Sequence, residues 1–316
     1  MSLSPSSHPH ADVNTATPDP TLDRDIDWAR IIPFILMHVF CLAVFFVGFS
    51  WFAFAVMLAF YLIRMFAITA FYHRYFSHKA FKTSRTVQFV FAVIGVMSTQ
   101  NGPLWWAAHH RAHHRHADQP EDLHSPRHGF WYSHMGWFLN KSNYATQEHL
   151  VKDWLKFPEL RWLDRNSVLV SVLTAGAFYG VGALLHRYAP QLHTTGPQLI
   201  VWGFLLSTVL LTHITLTINS FAHRFGYRSF ETQDDSRNNW LLAIITLGEG
   251  WHNNHHYCPA SVRQGFVWWQ IDISYYLLRL MAAFGLVWDL VPIPAKAFDP
   301  KNQIKHQTKA QPTPTL

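Results

Sequence analysis

Four stretches of this sequence, residues 31–49, 51–71, 168–185 and 199–218, are apolar over the roughly 17 to 25 residues that a helix needs to cross a bilayer. In hydrocarbon a backbone must satisfy its own hydrogen bonds, so such stretches allow little besides four spanning helices. The first two are separated by a turn centred on Ser50, and the last two by residues 186–198, which carry one basic residue, Arg187. Charged residues make up 14% of the chain, against about 25% in a typical soluble domain, which excludes an ordinary soluble globule. Twelve Lys and Arg lie between Tyr72 and Ser167, nine beyond Ile218 and two before Ile31. The positive-inside rule then puts both termini and the long central segment on the cytoplasmic face.

The expected fold is an all-α integral membrane protein, with residues 28–294 as one membrane domain whose cytoplasmic cap is made of residues 72–167 and 219–294. Residues 1–27 and 295–316 read as disordered tails. The first of these lacks a basic and an apolar region, which argues against a cleaved signal peptide. The basic residues of the second suit anionic lipid, and no nucleic-acid partner is expected. Cys41 and Cys258 are the only cysteines, so no disulfide framework is implied and the cap faces a reducing compartment. Arg64, inside the second apolar stretch, is expected to snorkel toward the interface, with a lipid or substrate head group as the alternative partner.

The histidines limit the chain further. On a helix, His110, His113 and His114 of His109-His110-Arg111-Ala112-His113-His114-Arg115-His116 project within an arc of about 100°. His109, His113 and His116 form an alternative face about 60° wide, and spacing does not choose between them. The same H-x-x-H-H pattern recurs at His252, His255 and His256, and a looser pair, His73 and His78, precedes both. Histidine gains little from burial unless both ring nitrogens find partners, so these clusters read as one site. Eight candidate ligands are about twice what a four-coordinate zinc uses, which implies two metals. Imidazole ligands on the reducing side of a membrane suit dioxygen activation by iron better than hydrolysis.

For the clusters to meet, the apolar segments 85–99 and 240–247 must not cross the membrane; both are also short for a span. His73 and His78 are five residues apart, about 140° on an ideal helix, so the second helix is expected to end or unwind near Arg74 to Ser77. Asn219 and His223 stand one turn apart at the exit of the fourth span and can join the cluster. Ligand imidazoles need acceptors on their second nitrogen, and Asp118, Asp122, Glu249 and Asp272 are near enough in sequence to serve. Trp106, Trp137 and Trp251 are expected along an apolar tunnel, with an interfacial aromatic belt as the plainer role for such residues. His38 and His213 read as packing residues inside the spans, and His124, His128, His134 and His149 as surface residues or as partners standing behind the ligands.

The stretches His73-Arg74-Tyr75-Phe76-Ser77-His78, His110-Arg111-Ala112-His113-His114, Asn219-Ser220-Phe221-Ala222-His223 and Gly248-Glu249-Gly250-Trp251-His252-Asn253-Asn254-His255-His256 resemble the boxes of the membrane-bound fatty acyl desaturases. The resemblance is to the Δ9, stearoyl-CoA desaturase-like branch, its bacterial members above all, and covers roughly Phe45 to Leu290. It implies a non-haem centre of two iron ions held by nine histidines, the eight above and His223, with Asn219 near one metal. It leaves His109 and His116 out of the ligand set.

The activity it implies is O2-dependent removal of two hydrogens from a saturated acyl chain, giving a cis double bond near carbon 9. Electrons would come from an external ferredoxin or cytochrome b5 type donor with its reductase, since no haem- or flavin-binding segment is apparent. In relatives the blind end of the tunnel lies on the second span, here at Met57 and Tyr61. Animal members carry an Arg-Asp pair before the second box, used with CoA, where this chain has Ala108-His109. Acyl-CoA and acyl-lipid substrates therefore both stay open. A bacterial plasma membrane fits better than the endoplasmic reticulum.

The nearest rival is a hydroxylase or other oxygenase on the same kind of scaffold, since it needs the same oxidant. A divalent-metal transporter would hold its ligands among the spans near the midplane. A carboxylate di-iron bundle would need Glu121–His124 and Glu249–His252 in long helices, and the glycines and prolines beside them argue against it.

Overall fold

The structure, a computed structural model, describes residues 25–304. It is mostly helical, in chain order α1 (Trp28–Val47), α2 (Trp51–Ser77), α3 (Arg85–Val96), α4 (Pro103–His116), α5 (Pro158–Arg165), α6 (Ser167–Tyr188), α7 (Gly196–His223), α8 (Trp240–Ile245), α9 (His252–Tyr257) and α10 (Ile273–Ala283). Four of these, α1, α2, α6 and α7, are long and apolar enough to cross a membrane. Half of α2 and of α7 is buried, against 6% of α1 and 17% of α6, so α2 and α7 form the inner pair. Helix α3, opened by the Ser84 hydroxyl accepting from the Val87 N–H, has 12 residues and packs on the second half of α2 through the stacked rings of Phe71 and Phe91. A two-stranded antiparallel ribbon, β1 (Lys82–Thr83) with β2 (Val287–Trp288), ties the start of the cap to its end.

Two expectations about α2 are corrected, the first only in how the helix reaches its end. It ends at Ser77, inside the expected stretch, but without unwinding: from Ala67 to Ser77 it widens into a π-helix, and the His78 N–H reaches the His73 carbonyl, five residues back. Wider winding adds about one residue per turn, which brings His73 and His78 to the same side, their ring centroids 5.0 Å apart. The wide turn is held from outside by Arg111, which donates to the carbonyls of Phe76 and Ser77, and by the Trp154 indole, which donates to Phe76. The arginine of the second histidine cluster thus caps the helix that carries the first, with Asp153 fixing its guanidinium in place.

The second correction is Arg64, which is fully buried and reaches neither the interface nor a head-group position. Its guanidinium donates to the carbonyls of Phe60 and Met97 and to the hydroxyls of Ser207 and Thr208, so it joins α2 to α7 and to the segment after α3. Several neutral acceptors gathered around one fork of donors make that interior position tolerable.

Outside the bundle, Ile26 pairs with Asn140, and the Lys141 N–H donates to Asp25. Residues 295–304, expected as tail, form two short 3-10 turns and pair through Gln303 and Ile304 with Phe230 and Ser229. The rest of both expected tails, residues 1–24 and 305–316, lies outside the described residues. A chain of imidazoles also crosses the fold: His38 Nε2 lies 2.8 Å from His213 Nε2, and His213 Nδ1 lies 3.1 Å from His134 Nε2. His38 and His213, packing residues by sequence, satisfy one another between α1 and α7.

Candidate metal centre

Helix α4 begins at a proline, Pro103, whose missing N–H costs nothing at a first helical position. The free N–H groups of Leu104 and Trp105 donate to one oxygen of Asp164. A side chain at Gly102 would meet Asp164 at 2.3 Å, so this cap needs glycine. The helix then turns His110, His113 and His114 inward, while His109 packs between Trp105 and Trp137 and donates to or accepts from none of the other cluster histidines. Helix α9 is short and held by amides: Asn238 accepts from the N–H groups of Asn253 and Asn254, and Asn254 bonds to Gln264 and Gln270. Before it, Gly248 has φ +128°, and a Cβ there would lie 2.4 Å from the Asp272 carboxylate.

These elements bring nine histidines into two adjoining groups. His73, His78, His110, His114 and His255 form one, and His113, His223, His252 and His256 the other, with the ligand atoms of each group within 4.8 Å of one another. Neighbouring Nε2 atoms stand 2.9 Å apart for His73 and His255, 2.8 Å for His78 and His110, 3.0 Å for His223 and His252, and 3.4 Å for His113 and His256. Two nitrogens each about 2.0–2.1 Å from a shared ion, at angles between octahedral and tetrahedral, would be roughly 2.9 to 3.4 Å apart. The spacing fits the edges of two coordination shells.

Protons decide the question of fit. His113 Nδ1 donates to Asp122 (2.9 Å), His223 Nδ1 to Asp118 (2.7 Å) and His256 Nδ1 to Asp234 (2.9 Å), and His73 Nδ1 pairs with Glu249. In the neutral ring with its proton on Nδ1, the form a metal binds, each Nε2 offers a bare lone pair to the centre. His113 and His256 therefore aim two lone pairs at each other, an arrangement that a cation between them resolves. Burial pushes Asp118, Asp122 and Asp234 up, but the imidazoles of His223, His113 and His256 outweigh it and hold all three well below the usual carboxylate range. Glu249 is likewise pushed up by burial and pulled below its ordinary value by His73 and Arg74. Burial keeps His110, His114, His252 and His255 below the ordinary histidine value, hence neutral, the form that ligates. Four carboxylates stand behind His73, His113, His223 and His256 and carry the negative charge that two divalent cations would balance.

Three of the four carboxylates named from sequence, Asp118, Asp122 and Glu249, touch an imidazole. Asp272 does not: it stands one step further out, 3.0 Å from Arg74, which in turn bonds to Glu249, and it also caps α10 through the Tyr275 N–H. Sequence reasoning missed Asp234, which lies in the loop between α7 and α8 beside Asp235 and carries no spacing signal. Of the two roles open to His124, at the surface or behind the ligands, the structure shows the second: the side chain is buried with His113 and Asp122 in a third small cluster.

Two cavities meet at the centre. A narrow one of about 50 Å³ is lined by Met65, Ile68, Thr69 and Thr246 as well as by His73, His113 and His252. A larger one of about 590 Å³ runs from α1, α6 and α7 past Trp137. Trp106, His110 and Asn219 line both. Among the expected tunnel residues, Trp251 is buried beneath the third cluster with its indole donating to Ile271, and lines neither cavity. Met57 and Tyr61 also line neither; Tyr61 stands one helical turn before Met65, its hydroxyl bonded to the Ile245 carbonyl.

Residues 49–291 match the family model described as fatty acid desaturase. The chain is 38% identical to an acyl-CoA 5-desaturase of Anemone leveillei, over 85% of this chain and 81% of that protein. It is 35% identical to delta-9 acyl-lipid desaturase 1 of Arabidopsis thaliana, over 87% of this chain and 86% of that one. To the sn-1 stearoyl-lipid 9-desaturase of Anabaena variabilis it is 33% identical, over 83% of this chain and 92% of the relative.

Proposed function

The chain belongs to the fatty acid desaturase family, and on that premise we propose that it is a Δ9 desaturase using O2 to place a cis double bond in a saturated acyl chain. It is a multi-pass membrane protein with an acyl substrate. The Δ9 position is supported by relatives named for it, while others in the same range of identity are named for position 5. The observation that carries the reading is a cavity of acyl-chain dimensions that becomes a narrow one beside nine inward-facing imidazoles.

We propose that His73, His78, His110, His114 and His255 would hold one iron and His113, His223, His252 and His256 the other, with Asn219 lining the cavities beside them. Two non-haem irons bound there supply an oxidant able to take hydrogen from an unactivated C–H bond. The chain's own residues do the rest. Asp118, Asp122, Asp234 and Glu249 keep each partner imidazole's proton on Nδ1 and its ring in one orientation. The narrow cavity takes the methyl end of the substrate and the larger one the carboxyl end, so the methylenes at the junction lie beside Trp106, His110 and Asn219. Apolar walls exclude water from that junction. The bond desaturated is then set by how far each end of the chain can travel, with Tyr61 limiting the methyl end.

Electrons come from a separate ferredoxin or cytochrome b5 type donor with its reductase. Both termini and the metal-bearing cap face the cytoplasm, at a bacterial plasma membrane. Expression in a cell lacking its own desaturase, followed by double-bond mapping of the lipids, tests the proposal. Loss of two hydrogens at carbon 9 is the expected product. An added hydroxyl, or a double bond at another position, refutes the activity or its Δ9 assignment respectively.

A further inference from the structure

We infer that α3 and α8 are re-entrant: each dips from the cap into the leaflet beneath it, ends near the bilayer midplane, and presents its outer face to lipid acyl chains. The depth is read along α2, whose far end is fixed. There Phe49 packs edge to face on both Trp51 and Trp202, around the turn that Ser50 shares with Thr194, an aromatic cluster of the kind that marks a membrane surface. At 1.5 Å per residue, Tyr61 stands about 15 Å from Trp51 toward the cap and Arg64 about 20 Å, within ~30 Å of hydrocarbon. Tilting the helix only brings both nearer to the far surface. Tyr61 donates to the Ile245 carbonyl, where α8 ends. The Arg64 guanidinium folds back over Phe60, 3.8 Å from its ring, and takes the Met97 carbonyl, just past the end of α3. Both tips therefore lie inside the hydrocarbon. The length of α3 agrees: its 12 residues cover about 18 Å, from Arg85, which pairs with Glu159 at the exposed end, down to Val96.

Backbone at such a depth is tolerated only where protein takes its polar groups, and both tips meet that demand. A helix leaves its last four carbonyls without helical partners. In α8 these are Leu242, Ala243, Ile244 and Ile245, which accept from the N–H groups of Thr246, Gly248 and Leu247 and from the Tyr61 hydroxyl, respectively. At the end of α3 the carbonyls of Val93, Gly95 and Val96 accept from the N–H groups of Met97, Ser98 and Thr99, that of Met97 from Arg64, and that of Ser98 from the Thr99 hydroxyl. In water such carbonyls need no protein donor. The outer faces fit the same surroundings. Phe89 and Val90 of α3 and Trp240, Leu241 and Ile244 of α8 are each 39–66% exposed, and none lines either of the two cavities at the metal centre. No charged residue occurs from Thr86 to Met97 or from Trp240 to Leu247. Thr246, next after Ile245, lines the narrow cavity, so α8 is the partition between that cavity and the lipid. This placement holds whichever reaction the centre performs.

The test needs no substitution: the full-length protein in phosphatidylcholine vesicles containing a phosphatidylcholine with a diazirine at the end of one acyl chain, with labelled residues mapped by mass spectrometry. Label is expected on Phe89 or Val90 and on Leu241 or Ile244, at a yield within about twofold of that on Leu173, an exposed residue of the spanning helix α6. Single cysteines are then offered a maleimide that cannot enter the bilayer. Val90→Cys and Ile244→Cys should react at least about tenfold more slowly than Lys152→Cys, on an exposed loop of the cap. Label on Leu173 with both short helices spared overturns the inference, as does maleimide reaction at Val90→Cys or Ile244→Cys as fast as at Lys152→Cys. Label on one short helix alone overturns it for the other. Label that reaches α8 only when the protein is diluted in lipid gives that face to a second copy of the chain and overturns its assignment to lipid.

Discussion

Asp234→Asn should strip metal from the protein while leaving its fold in place. One Asp234 oxygen accepts from His256 Nδ1 at 2.9 Å; the other accepts from the Ser236 N–H at 3.0 Å and the Thr232 hydroxyl at 2.9 Å. Asparagine has the same shape but only one acceptor oxygen. Whichever way its amide turns, an NH2 group faces a donor. If it faces His256, the imidazole must move its proton to Nε2, and the lone pair that would hold the metal is lost. Loss of such a partner typically costs 10- to 100-fold in metal affinity, or about 1.4–2.8 kcal/mol. The control is the next residue. Asp235→Asn removes a carboxylate that pairs with Arg127 at the surface, a change of roughly 0.5 kcal/mol or less, and keeps its backbone N–H on Asp118. Iron per chain after dialysis against graded chelator, measured alongside desaturation in the complemented cell, reads both variants. The reasoning fails if Asp234→Asn keeps its full iron content and activity, or if Asp235→Asn loses as much.

Burial holds His109 near pKa 4 and His124 near 3, below the ordinary value of about 6.5. Both stay neutral in the folded state while the unfolded chain protonates, so stability present above pH 6.5 should fall as pH drops toward 4, by about 1.4 kcal/mol per pH unit for each. His109→Phe should flatten that slope in thermal melts between pH 7.5 and 5, and an unaltered slope would refute the assignment. Gly102→Ala should lower stability by about 1–3 kcal/mol through its clash with Asp164, whereas Gly176→Ala, with open space around it, should not; equal melts for the two would count against the α4 cap. Tyr61→Ala should lengthen the preferred acyl chain by opening space beyond Met65, and unchanged product lengths would remove Tyr61 from the specificity of the enzyme.

Much of this was legible along the chain because the physics is local. Apolar runs long enough to span hydrocarbon have few other fates, and H-x-x-H-H on a helix turns three imidazoles one way. What local pattern could not supply was anything settled by a distant neighbour. The end of α2 near Ser77 was legible, but the wider winding that brings His73 and His78 together was not, because Arg111 and Trp154 stabilise it by taking its terminal carbonyls. Arg64 looked like a charge in search of water because its four acceptors come from α7, from the end of α3 and from its own preceding turn. Asp234 was invisible because an acidic loop residue becomes a histidine's partner only when α9 is folded against it. The sequence by itself determined that the chain spans a membrane and gathers imidazoles. Which carboxylate orients which ring, and where the cavities meet, were decided only by tertiary packing, since a hydrogen bond or a gap between helices depends on distances that the order of residues does not contain.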